Sequence, residues 1–210
     1  MTFAELKTAV FRDLDESATS PVFFSVVDVA DAINDGYKEL SDETEWYERS
    51  VIIKLLRQQR HYDLRTLVPE QVLSIGPSFN RTTNRWLTPE TTNDLDARYV
   101  QWNVVTGQPT AVFQRGLWTV GYWPFPATAV GVVQQYFTAI PPALSADTDV
   151  PGFPARFHRA LVEYATSELH PQRGEPDRGL ASWARYLDYE AGVGDFVAGR
   201  VSLPLSQRAG

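Results

Sequence analysis

Apolar residues recur at two different periods along this chain. Near the N-terminus Phe3, Leu6, Val10 and Leu14 share one helical face. Thr2 and Glu5 have the spacing of a capping box, in which hydroxyl and carboxylate each satisfy a backbone amide at the helix start. Residues 15–21 are polar and break the pattern. Ser25 with Asp28 repeats the start signal, and Val26, Ala30, Ile33, Tyr37, Leu40, Thr44 and Tyr47 follow at alternating gaps of four and three. Asp28, Asp31, Asp35, Lys38, Asp42 and Glu45 lie largely off this stripe. The pattern predicts a helix with one buried face, turned to the chain's own core or to a neighbouring subunit.

From Ser50 the period shortens. Val51 to Leu56 is an apolar run, Arg57 to Arg60 a polar turn, and His61 to Leu64 resumes an extended pattern. Val72 to Ile75 predicts a short strand closed by Gly76-Pro77, and the polar bend Asn80 to Asn84 leads to Trp86-Leu87-Thr88-Pro89. A brief helix is expected from about Thr92, with Leu95, Tyr99 and Trp102 on one face. Gly107-Gln108-Pro109 turns the chain into a strand from Thr110 to Gln114. Leu117, Thr119 and Gly121 then alternate with Trp118, Val120 and Tyr122 up to Trp123-Pro124-Phe125-Pro126, and a second apolar run covers Val130 to Phe137. These two runs are expected to form a hairpin.

Helical spacing returns after the Pro- and Asp-rich connector from Pro141-Pro142 to Pro151. Pro154 suits a first helical turn because that position needs no amide hydrogen, and Phe157, Leu161, Tyr164, Ala165 and Leu169 follow. His170-Pro171 is expected to stop this helix. Asp177 is expected to cap a last helix with Leu180, Trp183, Ala184, Leu187 and Ala191 as its apolar face, ended by Gly192 and Gly194. The remainder places Phe196, Val197, Val201, Leu203 and Leu205 among Gly, Ser, Arg and Pro, a set that needs a docking surface. The expected fold is α+β: a helical bundle formed by N- and C-terminal helices (1–50 and 141–192), an inserted small antiparallel β module (51–140) and an extended C-terminal arm (193–210).

Composition narrows the function. The chain has 210 residues and no cysteine, so disulfide scaffolds and thiolate metal sites are excluded. Its start carries acids where a signal peptide needs a basic stretch, and no run approaches a membrane span. The expectation is a soluble protein made in the cytoplasm, with no membrane partner. A net charge of −7, with 19 basic residues spread without a cluster, disfavours tight duplex binding and suits a conduit for DNA better than a clamp.

The sequence contains no recognisable catalytic set. His61, His158 and His170 lack the spacing of a zinc site, and Asp147-Thr148-Asp149 lacks the ligand series of a calcium loop, so a turn is expected there. Nucleophile elbow, P-loop and dinucleotide glycine pattern do not occur, and neither cofactor nor metal is expected. The aromatic share of 12% leaves one competing class, a carbohydrate-binding or hydrolytic tail component. That reading requires coplanar exposed rings lining a groove, with Trp86, Trp102 and Trp118 as candidates.

Several short motifs in fixed order carry a resemblance. They begin with Ile33-Asn34-Asp35-Gly36-Tyr37, Thr44-Glu45-Trp46-Tyr47-Glu48-Arg49-Ser50 and Gln59-Arg60-His61-Tyr62-Asp63-Leu64. Leu87-Thr88-Pro89, Thr106-Gly107-Gln108-Pro109 and Tyr122-Trp123-Pro124-Phe125-Pro126 follow. Ile140-Pro141-Pro142-Ala143-Leu144, Asp147-Thr148-Asp149-Val150-Pro151 and Leu161-Val162-Glu163-Tyr164-Ala165 complete the set. Over roughly Val29 to Tyr189 the chain resembles the head-to-tail adaptor (connector) proteins of tailed bacteriophages, departing from their pattern at Arg65.

The resemblance implies a non-enzymatic structural protein of the virion neck, made in the host cytoplasm. It would form a ring, typically a dodecamer, beneath the portal and join portal to tail or nozzle protein, with DNA passing through without sequence-specific binding. The C-terminal arm would reach a neighbouring component, with Phe196, Val201, Leu203, Pro204 and Leu205 in apolar contact with the portal. Arg200 and Arg208 would pair with acids there.

Overall fold

The computed structural model describes residues 1–99, 101–128 and 131–201. The fold is mixed α+β, and the chain divides into two compact units, 1–47 with 141–210 and 48–140.

The first unit holds α1 (Phe3–Asp13), α2 (Val26–Thr44), α4 (Arg159–Gln172) and α5 (Pro176–Val201). Both expected capping boxes form, Thr2 with Glu5 and Ser25 with Asp28. Helix α4 packs against α1, α2 and α5, and one apolar cluster runs through Leu6, Val10, Ile33, Leu40, Leu161 and Tyr186. Gly36 lets α2 and α4 approach closely: a Cβ there would lie 2.6 Å from the Tyr164 ring. The connector after residue 141 is tied down by hydrogen bonds. Leu144 N donates to Asn34 Oδ1 at 2.8 Å and Asn34 Nδ2 donates back to Leu144 O at 3.1 Å, while Phe3 N donates to Asp149 O at 2.7 Å. That last bond satisfies an amide that the start of α1 leaves without a helical partner.

The helical faces and ends differ from expectation at several points. In α2 the buried stripe runs through Val29, Ile33, Tyr37 and Leu40, and Val26 is 43% exposed. Pro171 lies inside the last turn of α4 instead of stopping it at His170, and Asp177 sits in the first turn of α5 behind Pro176. The face of α5 that packs carries Gly179, Ser182, Tyr186 and Val193 with Trp183 half-buried, whereas Leu180 and Leu187 are exposed. Gly192 and Gly194 do not end α5, which continues to Val201, so residues 193–201 are helix and not an extended arm. Tertiary contact explains this. Val193 is fully buried, Val197 packs on the core, and Phe157 Cε1 approaches within 3.2 Å of where a Cβ on Gly192 would be. Such contacts outweigh the roughly 1 kcal/mol helix cost of each glycine.

The second unit holds β1 (Glu48–Lys54), β2 (His61–Asp63), β3 (Val72–Asn80), β4 (Arg85–Trp86) and β5 (Thr88–Glu90), followed by α3 (Thr92–Arg98). It continues with β6 (Thr106–Gly107), β7 (Ala111–Gln114), β8 (Thr119–Trp123), β9 (Phe125–Pro126) and β10 (Val132–Ala139). One four-stranded sheet has the order β1-β10-β3-β4, a second the order β2-β8-β7-β5, and β6 pairs with β9. The first sheet is antiparallel throughout, but β5 with β7 and β6 with β9 are parallel, so the module is not purely antiparallel.

The expected hairpin of the runs before and after residues 123–126 does not form. β8 pairs with β7 and β2, and β10 pairs with β1 and β3. Pro124 and Pro126 have no amide hydrogen to extend a ladder. The chain there pairs briefly with Thr106–Gly107 and crosses to the other sheet. β3 also runs past Gly76-Pro77 to Asn80, because its register with β10 shifts between Gln135 and Phe137 and the irregularity absorbs the proline.

Candidate interaction surfaces

The end of α1, the body of α4 and the start of α5 enclose an open polar groove of about 440 Å³, lined by Arg12, Asp13, Asp15, Arg159, Arg178 and Arg185 among others. Glu163, with 4% side-chain exposure, accepts from two of the lining residues, Arg159 Nε and Arg185 Nε, both at 2.8 Å. Arg159 also pairs with Asp13, and Arg173 Nη1 donates to Leu14 O. Arg178 bridges Asp15 at 2.9 Å and Glu175 at 3.1 Å, and Glu175 accepts from His170 Nδ1 at 3.0 Å. The hydrogen bond from Arg178 is the largest influence holding the Glu175 carboxyl below its usual range.

Each acid here is matched to a guanidinium or imidazole, so none is poised as a general base. The groove fixes α1 to α4 and α5 and leaves charged rims exposed. The sequence hid it, because its members are spread over residues 12 to 185. The Arg159–Glu163 and Glu175–Arg178 pairs, four and three residues apart, are its local signals.

The other carboxylates are structural too. Asp149 Oδ2 accepts from Ser145 N and Ala146 N, both at 2.8 Å, closing the expected turn, and Asp147 pairs with Lys7 at 2.6 Å. His158 is buried with Nε2 2.8 Å from Phe153 O; burial is the main cause lowering its pKa. Among the described residues no group of three or more His, Cys, Asp or Glu could hold a metal ion, and no helix is long and apolar enough to cross a membrane.

On α5, the Phe196 ring is half-buried 6.1 Å from that of Phe157, with the Arg156 guanidinium 5.2 Å and the Arg200 guanidinium 5.8 Å from its centroid. Val201 is the last residue of α5, while Leu203, Pro204, Leu205 and Arg208 lie outside the described residues.

The three tryptophans that a carbohydrate site would need are each engaged by neighbours within the β module. Trp102 donates to Asp96 Oδ1 at 2.6 Å and meets Phe113 edge-on at 83°. Trp118 donates to Val72 O at 3.1 Å beneath the Arg65 guanidinium. Trp86 is inclined by 61° to Phe79 and by 36° to Tyr136.

A two-unit α+β protein whose groove charges are paired across helices has the character of a structural interaction module. Within that class the assignment is specific. Residues 1–208 match the family model described as SU10 adaptor protein, and the chain belongs to this phage head-to-tail adaptor family. Curated proteins give no match. Membership implies a structural adaptor of the virion neck that associates with other phage head and tail proteins.

Proposed function

We propose that copies of this chain form a closed ring, a dodecamer, beneath the portal, and that the ring joins portal to tail or nozzle protein around the DNA exit channel. The observation that carries this reading is the family match across nearly the whole chain. A ring multiplies modest contacts, since each subunit is held from two sides and neighbouring contacts must break together. Arg200, Val201, Leu203, Pro204, Leu205 and Arg208 supply the portal contact, and Phe196, anchored against Phe157, fixes the root of that segment. DNA passes without sequence-specific binding.

The test is electron microscopy of the purified chain with and without portal. Rings of uniform copy number on the portal are expected; a portal that stays bare at saturating chain concentration defeats the reading. Removal of residues 202–210 is expected to leave a folded chain that no longer joins the portal, and full joining by the truncated chain removes the C-terminal segment from the account.

A further inference from the structure

The charge of this chain is segregated. Residues 48–140 carry nine Lys and Arg against six Asp and Glu, a net +3. The helical unit carries ten against twenty, a net −10. The overall −7 therefore conceals a basic module.

Within that module the sheet register gathers an apolar row and a basic row on one face. Ile52 pairs with Gln134, Gln134 with Phe79 and Phe79 with Trp86, so these four share one face across all four strands. Ile52 is 45% and Trp86 39% exposed. The next row on that face starts with Lys54 opposite Val132, whose carbonyl accepts from Arg81 N at 2.9 Å. Lys54 and Arg81 are exposed and have no ion-pair partner among the described residues. An apolar strip bordered by unpaired cations calls for an apolar partner bordered by anions.

The helical unit presents such a surface. Val22, Phe23 and Val27 are 92%, 58% and 65% exposed, and Asp28 and Asp31 follow on the exposed side of α2. The segment is held in place: the amides of Val22 and Phe23 donate to Glu16 Oε2 at 3.1 and 3.3 Å, and Phe23 packs edge-on against the buried Phe24.

We infer that the outer face of the β1-β10-β3-β4 sheet docks on the Val22–Val27 patch of a second copy of this chain. The inference rests on the ring reading and names its subunit contact. Two different complementary patches on one chain make a head-to-tail contact, which can close into a ring, where a self-complementary patch would stop at a dimer. A phosphate backbone would satisfy Lys54 and Arg81 but leave Ile52, Phe79 and Trp86 uncovered. The acidic helical unit is present in equal number in every assembly.

The chain has no cysteine, so introduced thiols report without background. A Trp86→Cys chain and a Val27→Cys chain are mixed with a short bis-maleimide, with and without portal. The mixture is expected to give a linked dimer severalfold above either chain alone, and above Trp86→Cys with the exposed control Glu168→Cys. A chain carrying both thiols should give a ladder of multimers. Lys54→Glu with Arg81→Glu should suppress linking, and Asp31→Lys in the partner should restore part of it.

Linking no better than the control in both conditions overturns the contact. So does linking of the double variant only within single chains. Duplex DNA that binds the chain, blocks linking and loses binding with Lys54→Glu and Arg81→Glu would assign the face to nucleic acid. Rings seen on the portal without linking would leave the ring reading standing and remove this interface alone.

Discussion

The two units solve the same burial problem differently. In the helical unit the helix interiors satisfy their own backbone, and the buried Thr166 and Ser167 hydroxyls bond their own helix, as Thr166 Oγ1 does to Val162 O at 2.9 Å. Its core can therefore be one apolar cluster, with the arginine–carboxylate groove at the edge. The β module buries a polar bridge between its two larger sheets. Gln135 Oε1 accepts from Ser78 Oγ at 2.5 Å and from Tyr122 OH at 3.2 Å, while Gln135 Nε2 donates to Gly76 O and Tyr136 O at 2.8 and 2.7 Å. Those carbonyls lie where the β3–β10 register shifts, so the glutamine amide serves backbone groups that the ladder leaves over. Specificity comes from side-chain hydrogen bonds in one unit and from apolar fit in the other.

The contrast is broken most severely at the glutamine. Gln135→Leu removes the side-chain partner of two hydroxyls and two carbonyls, and a loss of at least about 4 kcal/mol is expected, since each buried orphan costs roughly 1–3 kcal/mol. Native-state hydrogen exchange is the measurement: β3, β8 and β10 amides should lose protection while α2 and α4 keep theirs. Equal loss in both would show that the units do not unfold separately.

Glu163→Leu makes the corresponding cut in the helical unit. It removes one partner from each of Arg159 and Arg185, but Arg159 keeps Asp13 and both reach water, with 31% and 55% side-chain exposure, so about 2 kcal/mol is expected instead of the roughly 3–5 kcal/mol for a fully buried pair. Urea unfolding reads this, and a cost above that of Gln135→Leu would reverse the ranking of the two units.

Gly36→Ala tests apolar fit directly. The added methyl meets Tyr164 at 2.6 Å, and about 1–2 kcal/mol of overpacking is expected despite alanine's better helix propensity. A thermal midpoint at or above that of the parent would mean that α2 and α4 can move apart freely.

The smallest effect carries the opposite sign. Tyr186 is fully buried with no partner for its hydroxyl among the described residues, and burial, with Glu190 as the next influence, pushes its pKa up. Tyr186→Phe is expected to be neutral or to stabilise by up to about 1 kcal/mol, because no hydrogen bond is lost. A clear loss in urea unfolding would reveal a partner for that hydroxyl.

Features that depend on neighbours in sequence were legible beforehand. Both capping boxes formed where the Thr2/Glu5 and Ser25/Asp28 spacings put them, and the Asp149 turn lay in its predicted loop. The family resemblance too was carried by short ordered motifs. The failures depend on contacts far along the chain. Leu180 and Leu187 mark an apolar face on α5 by sequence, yet Tyr186 and Val193 are the residues that α5 buries. The groove joins residues 12 to 185, and the sheet face joins 52, 79, 86 and 134, in neither case at a spacing that a periodic pattern reveals.

The sequence by itself determined most of the segments that become helix or strand and where α1 and α2 begin, because caps, prolines and periodicity act over a few residues. Tertiary structure alone decided which strands pair, which helix face is covered, and that α5 passes its glycines to reach Val201. Those outcomes depend on area buried against distant partners, and the burial of Val193 and the packing of Phe196 on Phe157 outweigh a local preference of roughly 1 kcal/mol per glycine.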